Sequence, residues 1–368
     1  MKFSEEFRDQ ALVKEAARRL GRLAPGAATI MEVCGTHTMS VARFGLKSLL
    51  PPNVRLVSGP GCPVCVTDQG DIDAFLALGN LPDTVLATFG DMVRVPGSFT
   101  SLERQRAEGA DVRVVYAPLD AVEIAKQNPG KQVVFFGVGF ETTMPATALA
   151  IRVAAQESLR NFTVFCVHKT MPAALKALLA SGEVRVSGLL LPGHVTTIIG
   201  AEAYNFIPES FSIPCAVTGF EPLDILLGVE SILRQLLGGA ASVDNAYTRA
   251  VKAPANPLAQ RLLDEVFQAA DAVWRGLGII PGSGVKIRET YALFDAAVRF
   301  RETIAAVPPA RPTGCRCGEV LRGVLAPQDC HLFGKACTPS QSLGPCMVSS
   351  EGACAAAYRY GNITQAIK

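Results

Sequence analysis

Short apolar runs recur along this chain, each ending in glycine, proline or a small polar residue, and segments of helical period separate them. A continuous apolar run bounded by turn residues predicts a strand buried on both faces. Such strands are expected over residues 30–33, 54–57, 84–89, 112–116, 132–137, 162–167, 186–191 and 216–218. Helical spacing of apolar residues predicts helices over 39–50, 119–127, 144–158 and 172–180, and another from Glu221 through Leu237. The N-terminal 24 residues carry Phe3, Phe7, Leu12, Val13, Ala16 and Leu20 at helical intervals, and Pro25-Gly26 ends that helix. Thr67 or Asp68 can cap a helix running through Leu78.

Strand and helix alternate through two successive units. This predicts an α/β protein with two facing parallel-sheet domains, 1–129 and 130–240, followed by a third segment, 241–368. The architecture repeats, but the sequence does not. In the third segment the break Ala253-Pro254-Ala255-Asn256-Pro257 precedes a helix expected through Trp274. From Pro308 onward the chain is rich in Gly, Pro and Cys, and a segment that irregular needs a metal staple.

Composition narrows the function. Hydrophobic residues make up 49% and charged residues 18%, as in a folded globular protein. A net charge of +2 supports neither nucleic-acid binding nor an anionic membrane surface. No apolar run reaches the roughly 18 residues of a spanning helix, and the acidic, amphipathic N-terminus has no signal-peptide core. A cytoplasmic location is expected. Eleven cysteines in such a chain point to metal binding or thiol redox chemistry rather than a disulfide framework.

Two cysteine motifs follow predicted strands. Cys34-Gly35-Thr36-His37-Thr38 offers a thiol and an imidazole, both good ligands for iron or zinc. Gly59-Pro60-Gly61-Cys62-Pro63-Val64-Cys65 offers a CxxC pair at a helix N-terminus, where thiolate is favoured; it can close a disulfide or share a metal. Groups in open α/β sheets gather where strands end, so Cys34, His37, Cys62 and Cys65 are expected to form one thiol-rich site. Gly137-Val138-Gly139-Phe140-Glu141-Thr142-Thr143 begins as GxG but lacks the third glycine of a dinucleotide fingerprint. Glu141 and Thr142 can instead line the cleft as polar or proton-relay groups, and Pro192-Gly193-His194 adds a second histidine. Cys166, Cys215 and His168 remain unassigned. The C-terminal cysteines are Cys315, Cys317, Cys330, Cys337, Cys346 and Cys354. Four thiolates hold either zinc or a [4Fe–4S] cluster, and the lack of a paired zinc-knuckle rhythm favours the cluster.

Together with Met347-Val348-Ser349-Ser350-Glu351-Gly352-Ala353-Cys354, these motifs resemble the HypD family of hydrogenase formation proteins over nearly the whole chain. The resemblance implies two α/β domains and a C-terminal [4Fe–4S] domain. It implies a scaffold, rather than a turnover enzyme, on which the active-site iron of [NiFe]-hydrogenases acquires two cyanides and one carbon monoxide. Its implied partners are the chaperone HypC, the cyanide donor HypE and, indirectly, the hydrogenase large subunit. Carried over to this chain, Cys34 holds the transient iron, with His37 in the same motif, and Cys62 and Cys65 form a redox pair. Cys317, Cys330, Cys337 and Cys354 ligate the cluster, and Cys315 and Cys346 form a dithiol beside it. Electrons would pass from the cluster to Cys315/Cys346 and on to Cys62/Cys65. Some members carry a second histidine where this chain has Met39, and a proline where it has Asp68. The rival reading is a free-standing thiol–disulfide oxidoreductase with an iron–sulfur cluster, which leaves Cys34 and His37 without a role.

Overall fold

The computed structural model describes residues 5–23 and 26–361. Eight of the strands are those the apolar runs predict: β1 (Ala28–Glu32), β2 (Val54–Ser58), β3 (Thr84–Thr88), β4 (Asp111–Val114), β5 (Gln132–Gly137), β6 (Phe162–Cys166), β7 (Gly188–Pro192) and β8 (Cys215–Thr218). They form two parallel sheets. The expected N-terminal helix runs over Gln10–Leu23 after a 3-10 turn at Glu6–Arg8, and its first four positions lie outside the described residues.

The sheets are interleaved in the chain. One has the order β2-β1-β7-β8-β9, with β9 (Val243–Asn245) at its edge, and the other β4-β3-β5-β6. A boundary at 129/130 therefore cuts the second sheet between its paired strands β3 and β5, and a boundary at 240 severs β9 from the first. The sequence order misleads because parallel strands need long crossovers, and a crossover can leave for another sheet as readily as return to its own. Here the chain leaves after β2 and comes back after β6.

Strand alternation builds the layers. Val85, Ala87, Val133 and Phe135 face a core shared with Ala121 and Val122 of the helix Pro118–Gln127 and Ile151 of the helix Met144–Gln156. Their neighbours Leu86, Val134 and Phe136 face a second core that also holds Leu189, Leu191 and Val217 of the first sheet. Phe75 stacks on Phe136 in that core, ring centroids 4.1 Å apart. The outer face of the first sheet is covered by the N-terminal helix and the helix Pro222–Gly238, tied by the Arg19–Glu230 ion pair at 2.8 Å.

The expected helix through Trp274 is corrected. It stops at Val266, and the chain continues as an antiparallel hairpin, β10 (Phe267–Trp274) and β11 (Gly278–Ile287). Burial along β10 alternates, with both ends enclosed, which is a strand period that the alanines obscure in the sequence. Trp274 is fully buried, and its indole N–H donates to Ser283 Oγ at 2.7 Å.

Candidate thiol site

The first sheet's order explains how distant motifs meet. Four adjacent strands, β2-β1-β7-β8, end side by side. Their exits carry Gly59–Cys65, Cys34, His194 and Phe220 respectively. The second sheet contributes the exit of β3, at Phe89 and Asp91, and that of β5, at Val138–Thr143. Thr36, Thr142, His194, Phe220 and Glu351 line a cleft of about 320 Å³ between these exits.

Cys34 caps the helix Gly35–Arg43 and is buried. Gly61 lies against its backbone so closely that no side chain fits there, and the Gly35 N–H donates to Gly61 O at 3.0 Å. A Cβ on Gly35 would stand 2.6 Å from Glu351 Cβ and 3.1 Å from Cys62 Cβ, so the three motifs abut at this glycine. Burial pushes the Cys34 thiol up to about 12, and the nearby Glu351 carboxylate adds to the rise. Hydrogen bonds from His37 and Thr36 oppose it without winning. The resting thiol is therefore protonated, and a cationic metal would have to displace that proton.

The imidazole beside Cys34 is that of His194, with Nδ1 3.9 Å from Sγ. His37 adjoins Cys34 through its backbone, while its ring nitrogen Nε2 reaches the end of β8 and Nδ1 is buried without a partner. Its ring is buried, with Nε2 2.9 Å from Thr218 Oγ1 and 3.0 Å from Gly219 O. It ties the Cys34 helix to the end of β8. Both imidazoles are held neutral, lowered to about 4 chiefly by burial. Phe220 stands between them, its ring 5.0 Å from His37 and 5.1 Å from His194.

Cys62 and Cys65 form a disulfide at the start of the short helix Pro63–Val66, and Cys62 Sγ accepts from the Cys65 N–H at 3.2 Å. The Ser349 hydroxyl lies 3.5 Å from Cys62 Sγ. Thr36 Oγ1 donates to Glu351 Oε1 at 2.5 Å, and Ser350 Oγ donates to Asp91 Oδ2 at 2.9 Å. The stretch Ser349-Ser350-Glu351 thus bridges the cysteine motifs and both sheets. Its sequence lay beside Cys354, but nothing local marked Glu351 as a neighbour of Thr36.

Thr142 lines the cleft, whereas Glu141 turns inward and accepts from the Met171 N–H at 2.8 Å through Oε1. Its second oxygen is buried without a partner, and burial raises the carboxyl to about 7.

The C-terminal cysteines are all free thiols. The Cys317 thiol is near enough to those of Cys315 and Cys346 for each to perturb it. Cys354 feels the charges of Cys315, Cys317, Cys337 and Cys330. Among the described residues no three His, Cys, Asp or Glu side chains converge to hold a single metal ion. Cys166 and His168 lie apart from the cleft, with Sγ 3.5 Å from Nδ1 at the end of β6, and Cys215 is buried in β8. Among the described residues no helix is long and apolar enough to cross a membrane.

Comparison with known proteins places this arrangement. The HypD family model, described as "Hydrogenase formation hypA family", matches residues 11–361. The hydrogenase maturation factor HypD of Rhodobacter capsulatus is 46% identical over 98% of both chains. That of Azotobacter vinelandii is 46% identical over 100% of this chain and 99% of its own, and that of Escherichia coli K12 is 45% identical over 98% of both. With its strand-end motifs assembled at one cleft and its likeness running from end to end, the chain belongs to the HypD family of hydrogenase maturation factors.

Proposed function

We propose that this protein is a cytoplasmic scaffold on which, together with the small chaperone HypC, the iron of a [NiFe]-hydrogenase active site acquires two cyanides and one carbon monoxide. One observation carries the reading: a buried thiol, Cys34, stands 3.9 Å from His194, which lines the cleft together with Pro63 and Val64, the two residues between the disulfide-bonded Cys62 and Cys65. The iron is cargo. Cys34 would hold it opposite a HypC thiolate, surrendering its proton on binding, and cyanide would arrive from HypE for eventual delivery to the hydrogenase large subunit.

The dithiol form of Cys62 and Cys65 suits cyanide release from a thiocyanate-type carrier. Two thiols and the carrier thiocyanate give a Cys62–Cys65 disulfide, the carrier thiol and hydrogen cyanide. The S–C bond breaks, the S–S bond forms, and two electrons pass from the cysteines to the carrier. Cys317, Cys330, Cys337 and Cys354 are the proposed ligands of a [4Fe–4S] cluster, with Cys315 and Cys346 as an adjacent dithiol. Such a cluster supplies electrons one at a time.

A free-standing oxidoreductase acting on protein thiols is the weaker reading. It leaves the Cys34–His194 pair, 3.9 Å apart, without a role.

Anaerobic purification with metal analysis and infrared spectroscopy, alone and with HypC co-expressed, tests the proposal. The expected result is roughly four cluster irons per chain plus one more, with bands in the cyanide and carbonyl stretching region. A cluster without such bands, in the presence of HypC and the cyanide-supply proteins, would sink it.

A further inference from the structure

The row of strand exits at the thiol site has a fifth member. β9 pairs with β8 at the edge of the first sheet, and the Ala246 N–H continues the ladder by donating to Val217 O at 3.0 Å. Tyr247 follows at once. Its backbone N–H donates to Asn245 Oδ1 at 3.0 Å, and its carbonyl accepts from the Val251 N–H at 2.9 Å, so the turn that carries the ring is tied at both ends. The ring lies across the exits of β7 and β8. A Cβ on Gly193 would stand 2.5 Å from Tyr247 Cδ1, and one on Gly219 would stand 2.6 Å from Cε2, on the ring's opposite edge. The ring thus fills the space that the two glycines leave empty, and neither position admits a side chain. The residue after Gly193 is His194, the residue after Gly219 is Phe220, and Gly219 O is the acceptor for His37 Nε2.

A second residue of the same turn holds the ring in place. The Arg249 guanidinium stacks over Tyr247, 4.6 Å from the ring centroid, and over Phe7 at 3.6 Å. Both its terminal nitrogens donate to the buried carboxylate of Asp224, at 2.6 Å each. A bidentate pair of this kind fixes orientation as well as position. Asp224 Oδ2 also accepts from the Glu221 N–H at 3.1 Å, which caps the helix Pro222–Gly238 and anchors the chain just after Phe220. Phe220 meets the Tyr247 ring edge-on, centroids 6.1 Å apart, and its own ring stands beside both imidazoles of the site.

We infer that Tyr247, clamped by Arg249, is a positioning residue of the thiol site: its ring, wedged between Gly193 and Gly219, sets where His194 stands against Cys34. A pair of ligands works only if both are held to a fraction of an ångström. A histidine that directly follows a glycine at a strand exit lacks a neighbouring side chain to hold it there. The ring supplies that hold through its contact surface and not through its hydroxyl. The inference rests on the proposed reading of Cys34 and His194 as the cargo site.

The test uses the full chain purified without oxygen, as wild type, Tyr247→Phe, Tyr247→Leu and Arg249→Lys, each alone and with HypC and the cyanide-supply proteins co-expressed. The chain alone is treated with diethyl pyrocarbonate, and the modification rate of His194 is read by mass spectrometry against that of the exposed His331. The complex is read by its cyanide and carbonyl infrared bands per folded chain. Tyr247→Leu is expected to change the His194 rate about threefold or more relative to His331, and to cut the bands to about a third of wild type or less. Tyr247→Phe keeps the ring and is expected to match wild type in both. A role in folding alone would lower the urea midpoint and leave both readouts of the folded protein unchanged. Either readout unchanged in folded Tyr247→Leu therefore overturns the inference. So does a Phe variant that behaves like the Leu variant, which would make the hydroxyl decisive and not the ring. Arg249→Lys keeps the charge and gives up the paired bonds to Asp224, and is expected to shift the His194 rate about twofold. An unchanged rate there overturns the clamp, even where Tyr247→Leu fails to fold. A wild-type complex without the infrared bands is the separate failure of the cargo reading, and takes the inference with it.

Discussion

Cys34 Sγ and His194 Nδ1 stand 3.9 Å apart although 160 positions separate them in the chain. The pair exists because β1 and β7 are hydrogen-bonded neighbours whose exits lie at the same end of the sheet. Burial holds the thiol protonated and the imidazole beside it neutral. Cys34→Ser is expected to abolish the cyanide and carbonyl infrared bands of the purified complex while leaving cluster iron per chain unchanged. Equal bands in the variant would move the cargo site elsewhere.

His37 and His194 are expected to behave differently. His37→Ala leaves the Thr218 hydroxyl and Gly219 carbonyl without their partner, at a cost of about 1–3 kcal/mol in urea unfolding. It should retain cargo iron at more than half the wild-type level. His194→Ala should lose most of the iron with little change in stability. Iron analysis and urea titration of both variants separate the roles, and the reverse pattern would restore His37 as the ligand.

Gly61 has no room for a methyl group beside the Cys34 backbone. Gly61→Ala is expected to destabilise by about 1–3 kcal/mol through backbone displacement. It should also disturb Cys34 more than the surface does: alkylation of Cys34 in the native protein should accelerate severalfold. A stable variant with unchanged alkylation would contradict the contact.

Glu141 carries a pH signature. Its folded value is raised to about 7 by burial, above the ordinary 4.5. Between those values the folded protein keeps a proton that the unfolded chain releases, so stability falls as pH rises from 4.5 to 7 and levels off above. The loss is on the order of 3 kcal/mol at most. Glu141→Gln keeps an acceptor for the Met171 N–H and removes the titration. Its stability relative to wild type should therefore grow from pH 5 to pH 8 in chemical unfolding. A constant difference across that range would show that Glu141 ionises normally in the fold.

Trp274 anchors the hairpin through its bond to Ser283 and its stacking against Phe140, centroids 5.9 Å apart. Trp274→Ala is expected to cost about 3–5 kcal/mol. It should also release the turn that touches Val66 and Gly318, read as faster hydrogen exchange in residues 63–67. Unchanged exchange there would disconnect the hairpin from the CxxC helix.

What the sequence determined by itself was local. An apolar run followed by glycine or proline is a strand with an exit whatever surrounds it, so β1 to β8 and the motifs at their ends were legible, as were the helix starts at Asp68 and Met144. Tertiary structure decided which exits became neighbours. The order β2-β1-β7-β8 joins strands near the start of the chain to strands at its middle, because the partner of a parallel strand is chosen by packing across long crossovers and not by its own residues. Tertiary structure also turned His37 toward Thr218, brought His194 to Cys34, and made a strand of residues 267–274. In that last stretch the alanines permit either conformation, and burial of Trp274 against the hairpin's other strand settled the outcome.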